Sequence, residues 1–295
     1  MSKQHPVVVV TGSSGAGTTF VKRAFEHIFQ REKINPLVVE GDSFHMYDRA
    51  AMKANVVKQE ALGNHSFSHF GPDANLFDKI EETFKSYGEK GQCDRRYYLH
   101  SVEEAEEHNE RLGTDLNPGQ FTPWEEVGED TDLLFYEGLH GAVVTDDVDM
   151  AQYADLKIGV VPSVNLEWIQ KIHRDNAERG YSAEETVDTI LRRMPDYINY
   201  ITPQFSKTDI NFQRVATVDT SNPFIARDIP TPDESFVVIR FNDLEKTPID
   251  FVYLCNMING SFMSRRNTIV IPGGKMSLAM EIILYPIIKK MIQER

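Results

Sequence analysis

The sequence predicts an α/β fold in which an open, mostly parallel sheet lies between two layers of helices. Residues 7–10 are four consecutive valines, a run typical of a strand buried on both faces of a parallel sheet. Further short apolar segments alternate with longer segments of helical periodicity, which indicates repeated strand–helix units. The sequence contains no internal repeat and no clear linker, so we expect one domain across residues 1–295.

The predicted elements follow in chain order. The glycine-rich turn after the first strand leads into a helix over residues 18–31, and a second strand covers 37–40. Helices over 49–62 and 74–87 come next, and residues 97–100 are predicted to form a short strand. The remaining elements are strands over 133–139, 156–162, 236–241 and 268–271, and helices over 165–179, 182–200 and 275–293, the last with a kink at Pro286.

Residues 101–131 differ in character from the segments around them. They are polar and acidic, with five glutamates close together at positions 103, 104, 106, 107 and 110. We expect either a peripheral insertion or mobile flap, or a solvated helix face with its adjoining loop.

Composition limits the class of protein. The chain has 295 residues, of which 41% are hydrophobic, as in globular proteins. No apolar run approaches the ~20 residues of a membrane-spanning helix, and we expect no signal peptide because the N-terminal residues lead directly into the first strand. Cys93 and Cys255 are too few for a disulfide framework or a cysteine-rich zinc site. A reducing, cytoplasmic setting is the simplest expectation.

The charge balance bears on the partners. The chain carries 31 Lys and Arg against 45 Asp and Glu, a formal net charge of −14. This balance argues against nucleic acid as a main partner, because a phosphate backbone requires a basic face. Small phosphorylated ligands remain compatible, provided that cations are concentrated at their site.

The turn after the first strand has the composition of a phosphate-binding loop. Its residues are Gly12, Ser13, Ser14, Gly15, Ala16, Gly17, Thr18 and Thr19. The glycine spacing matches G-x-x-x-x-G-K-[ST], in which backbone amides and a helix N-terminus hold an anion and the final hydroxyl contacts a metal. Thr19 stands at the hydroxyl position, but Thr18 replaces the lysine. We therefore expect a nucleotide loop rather than a plain glycine-rich turn, with the missing cation supplied from elsewhere.

Two carboxylates lie at the ends of predicted strands, at the sheet edge that carries this loop. Asp42 comes after the strand over 37–40, and is either a general base for an acceptor hydroxyl that attacks a γ-phosphate or an N-cap of the next helix. Glu137 lies in the apolar strand over 133–139, where an unpaired buried carboxylate is costly. An acidic residue there usually anchors the magnesium shell of a phosphate-loop protein, and a strand-end salt bridge is the alternative.

Cations cluster on the predicted helix over residues 165–179. They are Lys171, His173, Arg174 and Arg179. Lys171 and Arg174 share a helix face, and Lys171 is our candidate for the missing loop lysine. Asp175 lies four residues after Lys171, so a solvated i,i+4 ion pair is the alternative. Arg192 and Arg193 on the next helix raise the same question.

A second phosphate site is indicated close to Asp42. His45 and Arg49 suit a phosphate on the acceptor rather than on the nucleotide. Tyr98 and His100 would extend that pocket. Because a nucleoside acceptor has no phosphate, these residues favour a sugar-phosphate acceptor.

In combination, these motifs resemble those of the bacterial phosphoribulokinases, in the phosphoribulokinase/uridine kinase family. The segments that carry the resemblance extend almost from end to end of the chain. They are residues 12–19, 40–45, 135–141, 165–175, 202–206 and 218–224. A threonine in place of the loop lysine is a trait of that family.

The resemblance implies a nucleoside-monophosphate-kinase-like, three-layer P-loop fold with a mixed sheet. It also implies ATP-dependent phosphorylation of D-ribulose 5-phosphate at its 1-hydroxyl, with ADP as the other product. Carried over by position, Asp42 is the general base, and Thr19 and Glu137 hold Mg²⁺. By the same resemblance, residues 12–19 bind ATP. Lys171, Arg174 and Asp175 would lie at the transferring phosphoryl group. The sugar phosphate would be bound by His45, Arg49, Tyr98, His100 and Arg179.

The resemblance further implies a homo-octamer that is activated by NADH and inhibited by AMP. Arg31, Arg240 and Arg265 stand at the matching effector positions. We expect no thiol control, because neither Cys93 nor Cys255 lies in the phosphate loop.

Two other functions remain open. A uridine-kinase-like enzyme would take a nucleoside acceptor, which His45 and Arg49 disfavour. A nucleotide-sensing protein would bind ATP or NADH without turnover, which the set of Asp42, Thr19 and Glu137 disfavours.

Overall fold

A mixed sheet runs through the computed structural model, which describes residues 4–13, 18–128, 130–225 and 228–295. The strands are β1 (Val7–Thr11), β2 (Pro36–Glu40), β3 (Cys93–Arg95), β4 (Glu125–Val127), β5 (Leu133–Gly138), β6 (Leu156–Val161), β7 (Ile210–Ala216), β8 (Ser235–Phe241), β9 (Phe262–Arg265) and β10 (Thr268–Pro272). The α-helices are α1 (Thr18–Glu32), α2 (Arg49–Ala61), α3 (Phe77–Lys90), α4 (Val102–Leu112), α5 (Val164–Arg179), α6 (Ala183–Asp196), α7 (Phe251–Met257) and α8 (Met276–Gln293).

Within the described residues, the main sheet has eight strands in the order β2-β5-β1-β6-β7-β8-β10-β9. The strands from β2 to β7 in this order are parallel, and β8, β10 and β9 each run antiparallel to the preceding neighbour. Glu137 in β5 is the Cα partner of Val10 in β1 and of Glu40 in β2. The carboxyl ends of these strands therefore meet at one edge, and the expected α/β fold with a mixed sheet is confirmed.

The valines of β1 explain why its sequence does not alternate with polar residues. Val8 and Val10 pack in the core that includes α1 and α8, whereas Val7 and Val9 pack on the opposite face with α3. All four are fully buried, so β1 lies at the centre of a three-layer structure. None of the helices in the described ranges combines the length and apolar character of a membrane span.

Two predicted elements differ from the structure. No strand forms over residues 97–100, where an isolated bridge joins Tyr98 to Phe121. The backbone amide of Leu99 donates to the carbonyl of Gln120, and its carbonyl accepts from the amide of Gly119. This segment therefore bonds to a turn and does not join a β-ladder. The predicted helix over 182–200 ends as α6 at Asp196 and continues as a π-helical turn, Tyr197–Ile201.

Strand β7 was missing from the prediction. Its sequence includes Asn211, Gln213 and Arg214, which obscure the apolar pattern. Pairing explains why it is nevertheless a central strand, since β7 lies parallel to β6 and antiparallel to β8.

The acidic segment over 101–131 is folded where the structure describes it. Ser101 caps α4 at its N-terminus, and Gly113 ends it in a left-handed conformation. Strand β4 pairs with β3, and Arg111 binds Glu125 at 2.8 Å. Its assignment as an insertion or flap stays a prediction.

Candidate active site

The candidate site lies at the carboxyl edge of the parallel strands, where β1 ends. The amide of Gly12 donates to the carbonyl of Gly138 at 3.1 Å. A Cβ on Gly12 would lie 2.6 Å from the carbonyl oxygen of Val160, so only glycine fits between β5 and β6. The predicted ATP-binding residues Ser14, Gly15, Ala16 and Gly17 lie outside the described residues, as do the side chains of Thr18, Thr19 and Arg179.

A buried carboxylate ties the start of the loop to α5. The Ser13 hydroxyl donates to one oxygen of Glu167, and the Tyr197 hydroxyl donates to the other at 3.1 Å. Burial raises the pKa of Glu167, although these two hydrogen bonds oppose the shift. Sequence reasoning missed Glu167, whose only signal is its position one helical turn before Lys171. The network holds the Lys171 helix beside the beginning of the phosphate loop.

Asp42 lies in a 3₁₀ turn, Gly41–Phe44, directly after β2. Its carboxylate oxygens lie 3.3 Å from His45 Nε2 and 3.8 Å from His100 Nε2. The N-cap alternative is wrong, because Asp48 caps α2 by accepting from the Ala51 amide. The Asp42 side chain is 44% exposed, so it can reach an acceptor from solvent.

The surroundings of Asp42 favour its ionised form. Partial burial opposes ionisation, but the hydrogen bond from His45 and the charges of His45 and His100 outweigh it. The pKa of Asp42 therefore lies below its ordinary value. A carboxylate in this state accepts a proton, as a general base requires.

The predicted sugar-phosphate residues assemble around this carboxylate. The ring of Tyr98 lies edge-on to His100, with centroids 4.9 Å apart, and 6.3 Å from the ring of His45. Arg49 is the first residue of α2, and its amide donates to Gly119 at 2.9 Å. The structure thus brings together the side chains of His45, Tyr98 and His100, with exposed Arg49 at the start of the adjoining helix.

Arg96 fixes the Asp42 turn and was missed by sequence reasoning. Its guanidinium donates to the carbonyls of Ser43 and His45, both at 2.7 Å. It also lies over the rings of Phe121 and Trp124, at 3.8 and 4.6 Å from their centroids. Burial lowers its pKa to about 10. Because every residue has a carbonyl, no sequence pattern marks this contact.

We expect Arg96→Lys to lower both stability and turnover. An ammonium cannot reproduce the planar fork that donates to two carbonyls at once. The loss of one charged hydrogen bond should reduce the unfolding free energy by about 1.5–3 kcal/mol. Loosening the turn should also lower kcat of the folded protein, measured by ADP release beside a denaturation curve.

Arg95→Lys is the matched control. Arg95 donates to the carbonyl of Val38 at 3.2 Å and lies over Tyr97, without contact to the Asp42 turn. The Arg95→Lys variant should have a lower free energy of unfolding but nearly the same kcat as the wild type. Equal kcat in the two variants would rule out a positioning role for Arg96.

Glu137 closes β5 beside the loop and is half-buried. On α1, Lys22 lies 3.2 Å from Glu40. Burial lowers the pKa of Lys22, but the negative charges of Glu40 and Glu137 outweigh burial and raise it. No three His, Cys, Asp or Glu within the described ranges form a ready-made metal site. A Mg²⁺ that keeps waters and phosphate oxygens needs only one or two protein carboxylates, so Glu137 fits that role.

Lys171, Arg174 and Asp175 form a buried cluster on α5. Lys171 Nζ donates to Asp175, and the Arg174 guanidinium lies 3.1 Å from the other carboxylate oxygen. The ion pair expected from the i,i+4 spacing forms, but its side chains are only 11% and 4% exposed, so it is not solvated. Burial and the charge of Arg193 lower the pKa of Lys171 to about 8. Such shifts are frequent at functional sites.

Arg193 connects this cluster with the Asp42 side of the site. Its guanidinium lies 4.9 Å from the Phe70 ring centroid. Its charge acts on Lys171, on Glu167 and on His69, and the His69 ring lies 4.2 Å from that of His45, the neighbour of Asp42. Helix α5, which carries Lys171 and Arg174, and the Asp42 turn therefore border one site.

The predicted effector arginines are not all brought together. Arg240 and Arg265 are both Cα partners of Thr268, on either side of β10. Arg31 stacks over Tyr285 of α8 at 3.9 Å. Arg240 alternates with Ile239 and Phe241, which face α8, so it projects from the opposite face of the sheet.

The fold and the site together define a phosphate-loop kinase, in which a candidate base, a candidate metal ligand and a cation helix border the loop. The chain belongs to the Phosphoribulokinase / Uridine kinase family, whose model matches residues 7–221. It is 60% identical over 295 residues to a plasmid phosphoribulokinase of Cupriavidus necator, covering 100% of this chain and 98% of that protein. Identity to the phosphoribulokinase of Xanthobacter flavus is also 60% over 295 residues, at 100% and 99% coverage.

A solved structure gives the same result. Phosphoribulokinase from Rhodobacter spheroides superposes with a TM-score of 0.88 at 53% sequence identity, covering 99% of each chain. The similarity therefore includes the antiparallel end of the sheet and the last helix, beyond the residues that the family model matches.

Proposed function

We propose that this protein transfers the γ-phosphoryl group of ATP to the 1-hydroxyl of D-ribulose 5-phosphate, giving D-ribulose 1,5-bisphosphate and ADP. The observation that carries the proposal is the half-exposed Asp42 carboxylate, held ionised beside His45 and His100 at the loop edge. Relatives named phosphoribulokinase, about as long as this chain and 60% identical to it, support the choice of acceptor.

In this mechanism Asp42 takes the proton of the acceptor hydroxyl. The hydroxyl oxygen forms a bond to the γ-phosphorus while the bond between that phosphorus and the ADP oxygen breaks. Asp42 then releases the proton to solvent, which its 44% exposure allows. Lys171 and Arg174 would offset the negative charge of the transferring group, and Asp175 fixes both cations. The amides of the loop over 12–19 would hold ATP in line.

Mg²⁺ is the metal expected with ATP. Glu137 and the Thr19 hydroxyl would hold it, and when bound it supplies positive charge to the nucleotide phosphates. The carboxylate chemistry of Glu137 fits this hard cation.

The sugar phosphate would bind on the other side of Asp42. His45, His100 and Tyr98 border the carboxylate, and Arg49 begins the helix four residues beyond His45. Arg179, at the end of α5, would complete the phosphate site.

A coupled ADP-release assay with separate acceptors tests this proposal. We expect Mg²⁺-dependent ADP release with ribulose 5-phosphate and none with uridine. Release with uridine alone would support a uridine-kinase-like function. Absence of release with every pentose phosphate, at saturating Mg²⁺ and ATP, would support a nucleotide-sensing protein instead.

We further propose a homo-oligomer, an octamer by resemblance, with NADH as activator and AMP as inhibitor. Arg31 and Arg240 project from opposite faces of one sheet, so a site that uses both requires two copies of the chain. Edge strand β9 is exposed along its whole length, and Phe262 and Met263 are 51% and 37% exposed. Exposed apolar edges of this kind favour pairing with another chain.

Substitution of Phe262 tests this surface. We expect Phe262→Glu to reduce the particle mass measured by light scattering, because a charge would be buried at the contact. Val57→Glu on α2, where Val57 is 66% exposed, is the control and should keep the wild-type mass. An unchanged mass for Phe262→Glu would exclude β9 from the interface.

The remaining assignments complete the proposal. One kinase domain across residues 1–295 is supported by the main sheet, whose strands span residues 7 to 272. A cytoplasmic setting is supported by Cys93 and Cys255, both of which are unpaired thiols. Cys93 is buried, and burial raises its pKa to about 12, which makes it unreactive.

A further inference from the structure

The segment before α3 packs against the turn that carries Asp42 and His45. Asn75 and His45 face each other across an isolated antiparallel bridge. On either side of this bridge, the Met46 amide donates to Ala74 and the Leu76 amide donates to Phe44, both at 2.9 Å. The side chain of Asn75 is therefore held in a fixed relation to the imidazole of His45.

Hydrogen bonds determine the orientation of the Asn75 amide. Its Nδ2 donates to the carbonyls of His69 and Gly71, at 2.8 and 2.7 Å, so both amide hydrogens are used. Its Oδ1 lies 2.8 Å from His45 Nδ1. The reversed amide would place an oxygen against two carbonyls. Because Oδ1 only accepts, His45 Nδ1 must carry a proton.

The second ring nitrogen of His45 also faces an acceptor. Nε2 lies 3.3 Å from a carboxylate oxygen of Asp42. With Nδ1 already protonated, this contact is attractive only if Nε2 carries a proton as well. The arrangement thus fits a doubly protonated imidazole whose charge is directed at Asp42. Asn75 and His45 are 4% and 7% exposed, so water competes little for these bonds.

We propose that Asn75 is a positioning residue for phosphoryl transfer, which holds His45 as a charged donor with Nε2 presented to Asp42 and to the bound acceptor. This inference rests on the proposed function. Because Asn75 occupies Nδ1, only Nε2 is available, and His45 reaches the acceptor without turning its ring. The ring of His69 lies 4.2 Å from that of His45 and further restricts rotation.

Other titratable groups surround this pair and enter any pH dependence. They are His69 before α3, Tyr98 and His100 after β3, His140 after β5, and Arg193 on α6, which acts through His69. Burial lowers the pKa of His69 to about 2 and that of His140 to about 4, so both are neutral near pH 7. Neither of these two rings therefore supplies a charge to Asp42 at that pH.

Asn75→Ala tests the proposal against Asn211→Ala. Asn211 is a matched control, because it lies in β7, away from the Asp42 turn, and its buried amide donates to the carbonyl of Phe205 and accepts from the Thr208 hydroxyl. We expect Asn75→Ala to lower kcat/KM for ribulose 5-phosphate by about 10- to 100-fold, the worth of a hydrogen bond to a charged group. The acid limb of the pH profile of kcat/KM should move to higher pH in this variant, because Asp42 loses a stabilising charge. Asn211→Ala should lose stability with an unchanged pH profile.

A double-mutant cycle with His45→Asn shows whether Asn75 acts through His45. In the His45→Asn background, Asn75→Ala should change kcat/KM by less than about 2-fold. An equal loss in both backgrounds, or an unmoved acid limb in Asn75→Ala, would overturn the proposal.

Histidine ¹⁵N spectra keep this test separate from the proposed function. The difference between wild type and His45→Asn identifies the His45 signals. These should show two protonated nitrogens near pH 7 in the wild type and a single one in Asn75→Ala. If the wild-type protein shows no turnover, only the proposed function is contradicted. If the wild-type protein is active but its His45 carries a single ring proton, only the role of Asn75 is contradicted.

Discussion

Replacing Asp42 with asparagine should lower kcat by about 10²- to 10⁴-fold, the usual contribution of a general base. Asparagine has nearly the same shape but cannot accept the hydroxyl proton as a carboxylate does. ATP binding should survive, because Asp42 lies in the turn after β2 and contacts His45 and His100, which are proposed to bind the acceptor. The measurements are ADP release with saturating ribulose 5-phosphate and calorimetric titration with a non-hydrolysable ATP analogue.

Asp48→Asn is the control for this variant. Asp48 lies six residues from Asp42 and caps α2 through the Ala51 amide at 2.7 Å. Asparagine is an equally good N-cap, so stability and kcat should stay close to wild type. A kcat for Asp42→Asn within a few-fold of wild type would exclude Asp42 as the base.

The general architecture followed from a few residues, but the order and direction of the strands did not. Four consecutive valines predicted a central parallel strand, and the structure places β1 at the centre of the parallel strands. The antiparallel end of the sheet depends on pairing between β7, β8 and β10, which no local pattern encodes. Strand β7 was missed because Asn211 and Gln213 interrupt its apolar run, although Asn211 is buried and bonded to Thr208.

The site was predictable where a residue's own chemistry is unusual for its place in the chain. Asp42 comes directly after β2 and Glu137 lies at the end of β5, and the topology brings the ends of these parallel strands together. Arg96 and Asn75 were not predictable, because their contacts to the Asp42 turn join residues that are distant in sequence. Arg96 donates to the carbonyls of Ser43 and His45, 53 and 51 residues away, and Asn75 bonds to His45, 30 residues away. Such contacts exist only once the chain is folded.

Replacing Lys171 with methionine should lower kcat by about 10²- to 10³-fold, the usual cost of losing one preorganised charge at a transition state. Methionine keeps the length and apolar stem but removes the ammonium that pairs with Asp175. Asp175 would keep Arg174 as a partner at 3.1 Å, so folding should suffer less than turnover. Turnover should be compared with the denaturation midpoint of the same preparation.

Lys157→Met provides a control of equal burial. Lys157 is 10% exposed and lies 3.6 Å from Asp209, which also binds Lys246 at 2.8 Å. It lies at the start of β6, away from the loop edge. Its replacement should lower the free energy of unfolding by less than about 3 kcal/mol, because Lys246 remains as a partner of Asp209. The kcat of the folded protein should be unchanged. If Lys171→Met lost activity only in proportion to folded protein, the replacement-cation hypothesis would be wrong.

The pH profile tests whether Lys171 works through its charge. Its pKa is lowered to about 8, so the ammonium is charged below this value and becomes neutral as the pH rises through it. If the charge stabilises the transferring group, kcat should fall with an alkaline limb near pH 8. Lys171→Arg should move that limb upward, since a guanidinium stays protonated to about pH 12 or above. A limb that stays near pH 8 in Lys171→Arg would assign the titration to another group, and Lys171 would then serve chiefly to hold Asp175.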